Sequence, residues 1–211
     1  MNVKSPTRSS IVLASLIALL CGVALGITPP LLAHTSNSIG NSAHIILSGG
    51  WPWAALAFSF GFARRSRTES MALATMSLLT AVAAYYSTKA TYGGIDVSAL
   101  GDPSGRVISD PFDYGSLVAW GSAAFLFGPL LGFAGNLARE KGVRGLPFRS
   151  LIPVTAFVEM TVRIRVEAPL EAPVMGATWG VVRGVAVASL IALVAHTSIR
   201  TWRSRQSAGT R

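Results

Sequence analysis

Between positions 11 and 32 the chain runs without one charged residue, and comparable apolar stretches recur to its far end. A single run of that kind fits either a buried core helix or a membrane span. About 20 apolar residues at ~1.5 Å rise cross a hydrocarbon core of ~30 Å. Repetition decides between the two. Only 13% of the 211 residues are charged, about half the ~25% of an average soluble domain, and those charges are clustered between the runs. The pattern predicts an all-α, polytopic transmembrane bundle.

Six spans are expected, at 11–32, 43–63, 70–87, 115–138, 148–162 and 176–199. The fifth is short and carries both Pro153 and Glu159. Lysine and arginine fall unevenly across the loops. Thirteen lie at the N-terminus, in the second-to-third and fourth-to-fifth loops and in the tail, against Lys89, Arg106, Arg163 and Arg165 on the other side. The positive-inside rule then puts both termini in the cytoplasm. The chain divides into a cytoplasmic N-terminus (1–10), a six-helix transmembrane domain (11–199) with an external loop at 89–114, and a basic cytoplasmic tail (200–211). The cell membrane is the expected location and the lipid bilayer the first partner.

The net charge of +9 does not point to nucleic acid, because the basic residues alternate with apolar runs and form no stripe on one face. Cys21 is the sole cysteine, which excludes an internal disulfide. Lys4 and Arg8 ahead of an apolar run also fit a signal peptide. The exit Thr28-Pro29-Pro30-Leu31-Leu32-Ala33, however, lacks the small-x-small cleavage pattern, so the run is expected to stay as a span.

Two charges stand inside the last two runs. Glu159 lies in the fifth and Arg183 in the sixth, each about 12 Å from the outer side at ~1.5 Å per residue. Antiparallel neighbours would bring them to one depth, so an ion pair is expected. A lone charge near a span's centre costs about 2.5–3.5 kcal/mol on insertion scales, and pairing offsets part of it. Such a pair serves either as a clamp on helix register or as a ligand or proton site. Arg163, one turn from Glu159, competes for the same carboxylate.

Small residues mark close helix contacts. The first span has Ala14, Ala18, Gly22 and Gly26 at four-residue spacing; the fourth has Gly128 and Gly132 around Pro129; the sixth has Gly176, Gly180 and Gly184, followed by Ala188 and Ala192. Asn136 is expected to satisfy a neighbouring backbone group. The second span opens Ser48-Gly49-Gly50-Trp51-Pro52-Trp53, which predicts tryptophans at the membrane interface and a bent or re-entrant entry.

Enzyme signatures are missing. No nucleotide-binding loop, H-E-x-x-H or G-x-S-x-G occurs, and no catalytic residue is assigned. Ser48 and His196 are expected at opposite ends of the bundle and cannot exchange a proton. His34 and His44 lack a third ligand, so no metal is expected. Asp96, Asp102, Asp110 and Asp113 do not follow the spacing of a calcium loop. No cofactor is implied.

The Gly-Gly-Trp-Pro-Trp motif, Tyr85-Tyr86, Trp120, the run 127–135 and Glu159 together resemble an uncharacterised six-span integral membrane protein family of actinobacteria. That resemblance implies the architecture and carries no activity. In size, topology and the Ala14-x-x-x-Ala18 ridge the chain also resembles the substrate-binding components of energy-coupling-factor importers, a fold-level analogy. Two functions are therefore expected to compete. One is binding or translocation of a small solute near Glu159 and Arg183, with any ATPase supplied by a separate subunit. The other is a structural or assembly subunit docking a partner membrane protein through its glycine ridges.

Overall fold

A computed structural model describes residues 8–35, 37–92, 112–169 and 173–209. Every regular element among them is helical: α1 (Arg8–Leu32), α2 (Ser38–Leu47), α3 (Gly50–Ala63), α4 (Arg67–Tyr92), α5 (Tyr114–Leu137), a 3-10 turn (Gly142–Gly145), α6 (Leu146–Arg149), α7 (Leu151–Val166) and α8 (Pro173–Gly209). Most of the expected external loop, including Asp96, Asp102 and Asp110, lies outside the described residues.

Four helices, α1, α4, α5 and α8, are long and apolar enough to cross a membrane, and α2 with α3 makes a fifth span if the pair is one broken element. That pair bends by 62° at Ser48-Gly49, where the expected second span was foreseen to loosen. The fifth expected span is α7, whose 16 residues reach only about 24 Å at ~1.5 Å each. It also carries three charges in that short length, Glu159, Arg163 and Arg165. Length and composition alone therefore show four to five spans, with the short α7 left to make a sixth.

Glycine and alanine allow α1, α3, α4 and α5 to pack at backbone distance. On α1, Ala14 and Ala18 are buried with Leu73 of α4, and a Cβ on Gly22 would stand 2.5 Å from the Ser77 carbonyl oxygen. On α5, a Cβ on Gly128 would meet Thr75 at 2.6 Å and one on Gly132 the Ser70 carbonyl oxygen at 2.5 Å. Gly135 faces the Phe58 carbonyl of α3 in the same way. Side chains fill the seam above: Ala57, Ala74, Leu78, Val82, Tyr86 and Ala124 form one buried cluster.

The hydroxyls of α4 behave as spare donors do in an apolar medium. Thr75, Ser77 and Thr88 bond carbonyls of their own helix. Ser70 differs, donating to the Gly61 carbonyl of α3 at 3.0 Å while fully buried. Asn136 completes this knot, its Nδ2 donating to the carbonyl of Arg64 at 2.7 Å and to Ser70 Oγ at 3.2 Å.

The remaining helices form a second group. Ile45 of α2, Met160 of α7 and Trp179 of α8 share a buried cluster edged by Trp51 and Ile164, and Ser42 bonds Thr178 at 3.3 Å. The bundle therefore consists of α1–α3–α4–α5 and α2–α7–α8. The bent α2–α3 pair belongs to both.

Candidate functional site

The break between α2 and α3 creates the chemistry at their junction. A helix begins with N–H groups that have no partner within it, and a serine or aspartate at the preceding position normally supplies an acceptor. Here that position is Gly49, which has no side chain to offer. Pro52, in the first turn, has no N–H at all. Two orphan donors remain, on Gly50 and Trp51.

Glu159 takes both. Its Oε1 accepts from Gly50 N at 2.9 Å and its Oε2 from Trp51 N at 2.9 Å. The carboxylate thus closes the positive end of α3 from a different helix, adding its charge to the favourable end of the helix dipole. Hydrogen bonds to an ionised group contribute about 1.5–3 kcal/mol each, enough to offset the cost of holding that charge among apolar helices. The two glycines make room. A Cβ on Gly49 would lie 3.0 Å from Glu159 Oε1, closer than side chains normally pack.

Around the carboxylate, α7 presents a ladder at four-residue spacing. Arg163 Nε lies 3.3 Å from Glu159 Oε1, and Arg163 Nη1 donates to Glu167 Oε2 at 2.9 Å. Its guanidinium stands 6.0 Å from the centre of the Trp179 ring, within cation–π range. Trp179 is 3% exposed. The indole N–H groups of Trp51 and Trp179 are both buried without a hydrogen-bond partner. An orphan donor in such a place costs about 1–3 kcal/mol, and both belong to residues that touch the pair, Trp51 through its backbone N–H and Trp179 through its ring.

The expected Glu159–Arg183 pair does not form. Arg183 is half-buried on α8, one turn beyond Trp179, and makes no ion pair; both ion pairs among the described residues belong to Arg163. Equal depth along two rods does not fix rotation about them, and the glycine-capped start of α3 makes the stronger demand for an acceptor. The signal was present in Gly49-Gly50-Trp51-Pro52, and the competition from Arg163 was visible at i+4.

The glycine ridges divide. Gly128 and Gly132 lie against α4, whereas among the described residues Gly176 meets only Ala168, and Cβ atoms on Gly180 and Gly184 would have nothing within 4 Å. The described residues therefore leave this stretch of α8 uncovered at Gly180 and Gly184. Two apolar grooves of about 650 and 480 Å³ lie along α4 and α5, and neither includes Glu159, Arg163 or Arg183.

Two of the three histidines are engaged structurally. His34 packs on the Tyr92 ring, and His44 Nδ1 lies 2.8 Å from the Pro29 carbonyl. Ser48 Oγ stands 3.3 Å from that same Nδ1. A carbonyl can only accept, so Nδ1 carries the proton there and is no base for Ser48. Among the described residues no group of three metal-ligating side chains occurs.

No protein-family model matches the chain, and neither the curated proteins nor the solved structures contain a match to it.

Proposed function

We propose that the protein is a multi-pass protein of the cell membrane, six spans with both termini cytoplasmic, that binds a small solute at the junction of the broken span with α7. The observation that carries this reading is the seat itself. An acid within the helical bundle caps a half-helix, an arginine shares that acid, and the two tryptophans that touch this pair have unsatisfied indole donors. Half-helix ends inside a membrane bind polar groups that continuous spans cannot. Ionisable residues at such depth are costly enough to imply use.

A solute bearing an acceptor group would satisfy the indoles or replace Glu159 at the α3 end. Active translocation would require an ATPase subunit from outside this chain. The reading is tested by purifying the protein in mild detergent and identifying small molecules by native mass spectrometry. A bound molecule retained by the wild type and lost on Glu159→Gln, with the helical spectrum unchanged, supports it. A molecule retained equally by both overturns the assignment to this seat.

A second reading is favoured by the open α8 ridge: an assembly subunit that docks another membrane protein through Gly180 and Gly184. A membrane partner that co-purifies with the wild type and is lost on Gly184→Leu, with no small molecule present, selects it.

A further inference from the structure

The opposite end of the bundle brings together two basic loops about 70 residues apart. The 64–67 segment follows α3 and the 139–149 segment follows α5. Asn136 ties them, donating to the carbonyls of Arg64 at 2.7 Å and Arg65 at 3.3 Å. Seven cations gather there, Arg64, Arg65, Arg67, Arg139, Lys141, Arg144 and Arg149, against the two carboxylates of Glu69 and Glu140.

Three of the seven are occupied with backbone. Arg64 donates to the Ser10 carbonyl, Arg139 to the Phe62 carbonyl, and Arg149 to those of Ala138 and Glu140. The others are exposed. Among the described residues Arg67 has only the Phe133 ring, 5.6 Å away. Among the same residues Arg65, Lys141 and Arg144 make no ion pair, and neither Glu69 nor Glu140 pairs with any of the group. The loop turns at Gly142, whose φ of 75° lies in the left-handed region that favours glycine. Val143 at 63% and Phe62 at 48% exposure are uncovered beside the charges.

Unpaired cations mixed with uncovered apolar side chains at the end of a membrane bundle match one surface chemistry. We infer that this end binds the phosphate of an anionic phospholipid headgroup, with Arg65, Arg67, Lys141 and Arg144 as its cationic ligands and Phe62 and Val143 against the acyl boundary. Phosphate groups suit arginine donors, and each cation near an anionic leaflet adds to the attraction. The inference rests on the bundle being membrane-embedded and is independent of any solute at Glu159.

The test uses the full chain in a neutral detergent, titrated separately with short-chain phosphatidylglycerol, short-chain phosphatidylcholine and inorganic phosphate, with thermal unfolding as the readout. Phosphatidylglycerol is expected to raise the melting temperature. Arg65→Gln/Arg67→Gln/Arg144→Gln should weaken that response at least about tenfold, and the triple lysine variant should retain most of it. In the wild type, raising salt from about 0.1 to 0.5 M should suppress the effect, a readout that does not depend on the variant folding. Equal stabilisation by phosphatidylcholine, equal stabilisation by inorganic phosphate, or a salt-independent response would each overturn the assignment. So would no response to phosphatidylglycerol.

Discussion

Glu159 closes the amino end of a helix that begins 109 residues earlier, its Oε1 accepting the Gly50 N–H at 2.9 Å. This contact joins the two groups of helices. Gly50 starts α3, which packs with α4 and α5, whereas Glu159 sits on α7 among α2 and α8. The carboxylate is therefore both the polar joint of the bundle and the centre of the proposed solute seat.

Glycines that touch and glycines that do not should respond oppositely to alanine. At Gly132 a Cβ would stand 2.5 Å from the Ser70 carbonyl oxygen and 2.8 Å from Ala74, so Gly132→Ala should cost about 1–3 kcal/mol through overpacking. Gly184 has open space, and Gly184→Ala should be neutral or gain up to ~1 kcal/mol from helix propensity. Unfolding of the purified protein in detergent measures both.

Asn136 secures the 64–67 loop by bonding its carbonyls and Ser70 Oγ. Asn136→Leu keeps the volume and removes every donor, leaving those acceptors unmet at a cost of about 1–3 kcal/mol. Trypsin should then cut faster at Arg64, Arg65 and Arg67, with other sites unchanged. An unaltered digestion pattern would show that the loop is held by something else.

At the start of α5, Asp113 accepts from Ser116 N at 2.8 Å. The Ser116 hydrogen bonds hold its carboxyl below the ordinary value of 3.8, and Lys89 adds to the effect. A lowered folded-state value means that the cap's contribution is complete above the ordinary carboxylate range and lost as pH falls through the folded value. The Ser116 amide resonance should therefore shift at a pH below the ordinary carboxylate value. Asp113→Asn should remove that titration.

Much of the fold was legible because membrane helices announce themselves by length and by small-residue spacing. The Ala14–Gly26 ridge meets α4, Gly128 and Gly132 meet the same helix, and Asn136 finds a neighbouring carbonyl. The bend at Ser48-Gly49 was visible because Gly-Gly-x-Pro cannot continue a regular helix. The partner of Glu159 was not legible. Depth follows from counting residues, but the face a helix turns to its neighbours depends on crossing angles that no single span encodes. A helix start with bare N–H groups competes with a distant arginine, and at close range it prevails.

The most direct measurement is a pair of double-mutant cycles read by unfolding in detergent. Glu159→Gln alone should destabilise the protein by about 1–3 kcal/mol as the charged cap is lost. Combined with Arg163→Gln it should be non-additive by about 0.5 kcal/mol or more, since neighbours within one network couple. Combined with Arg183→Gln it should be additive within about 0.3–0.5 kcal/mol. Coupling to Arg183 with none to Arg163, or a stability unchanged by Glu159→Gln, would contradict the account.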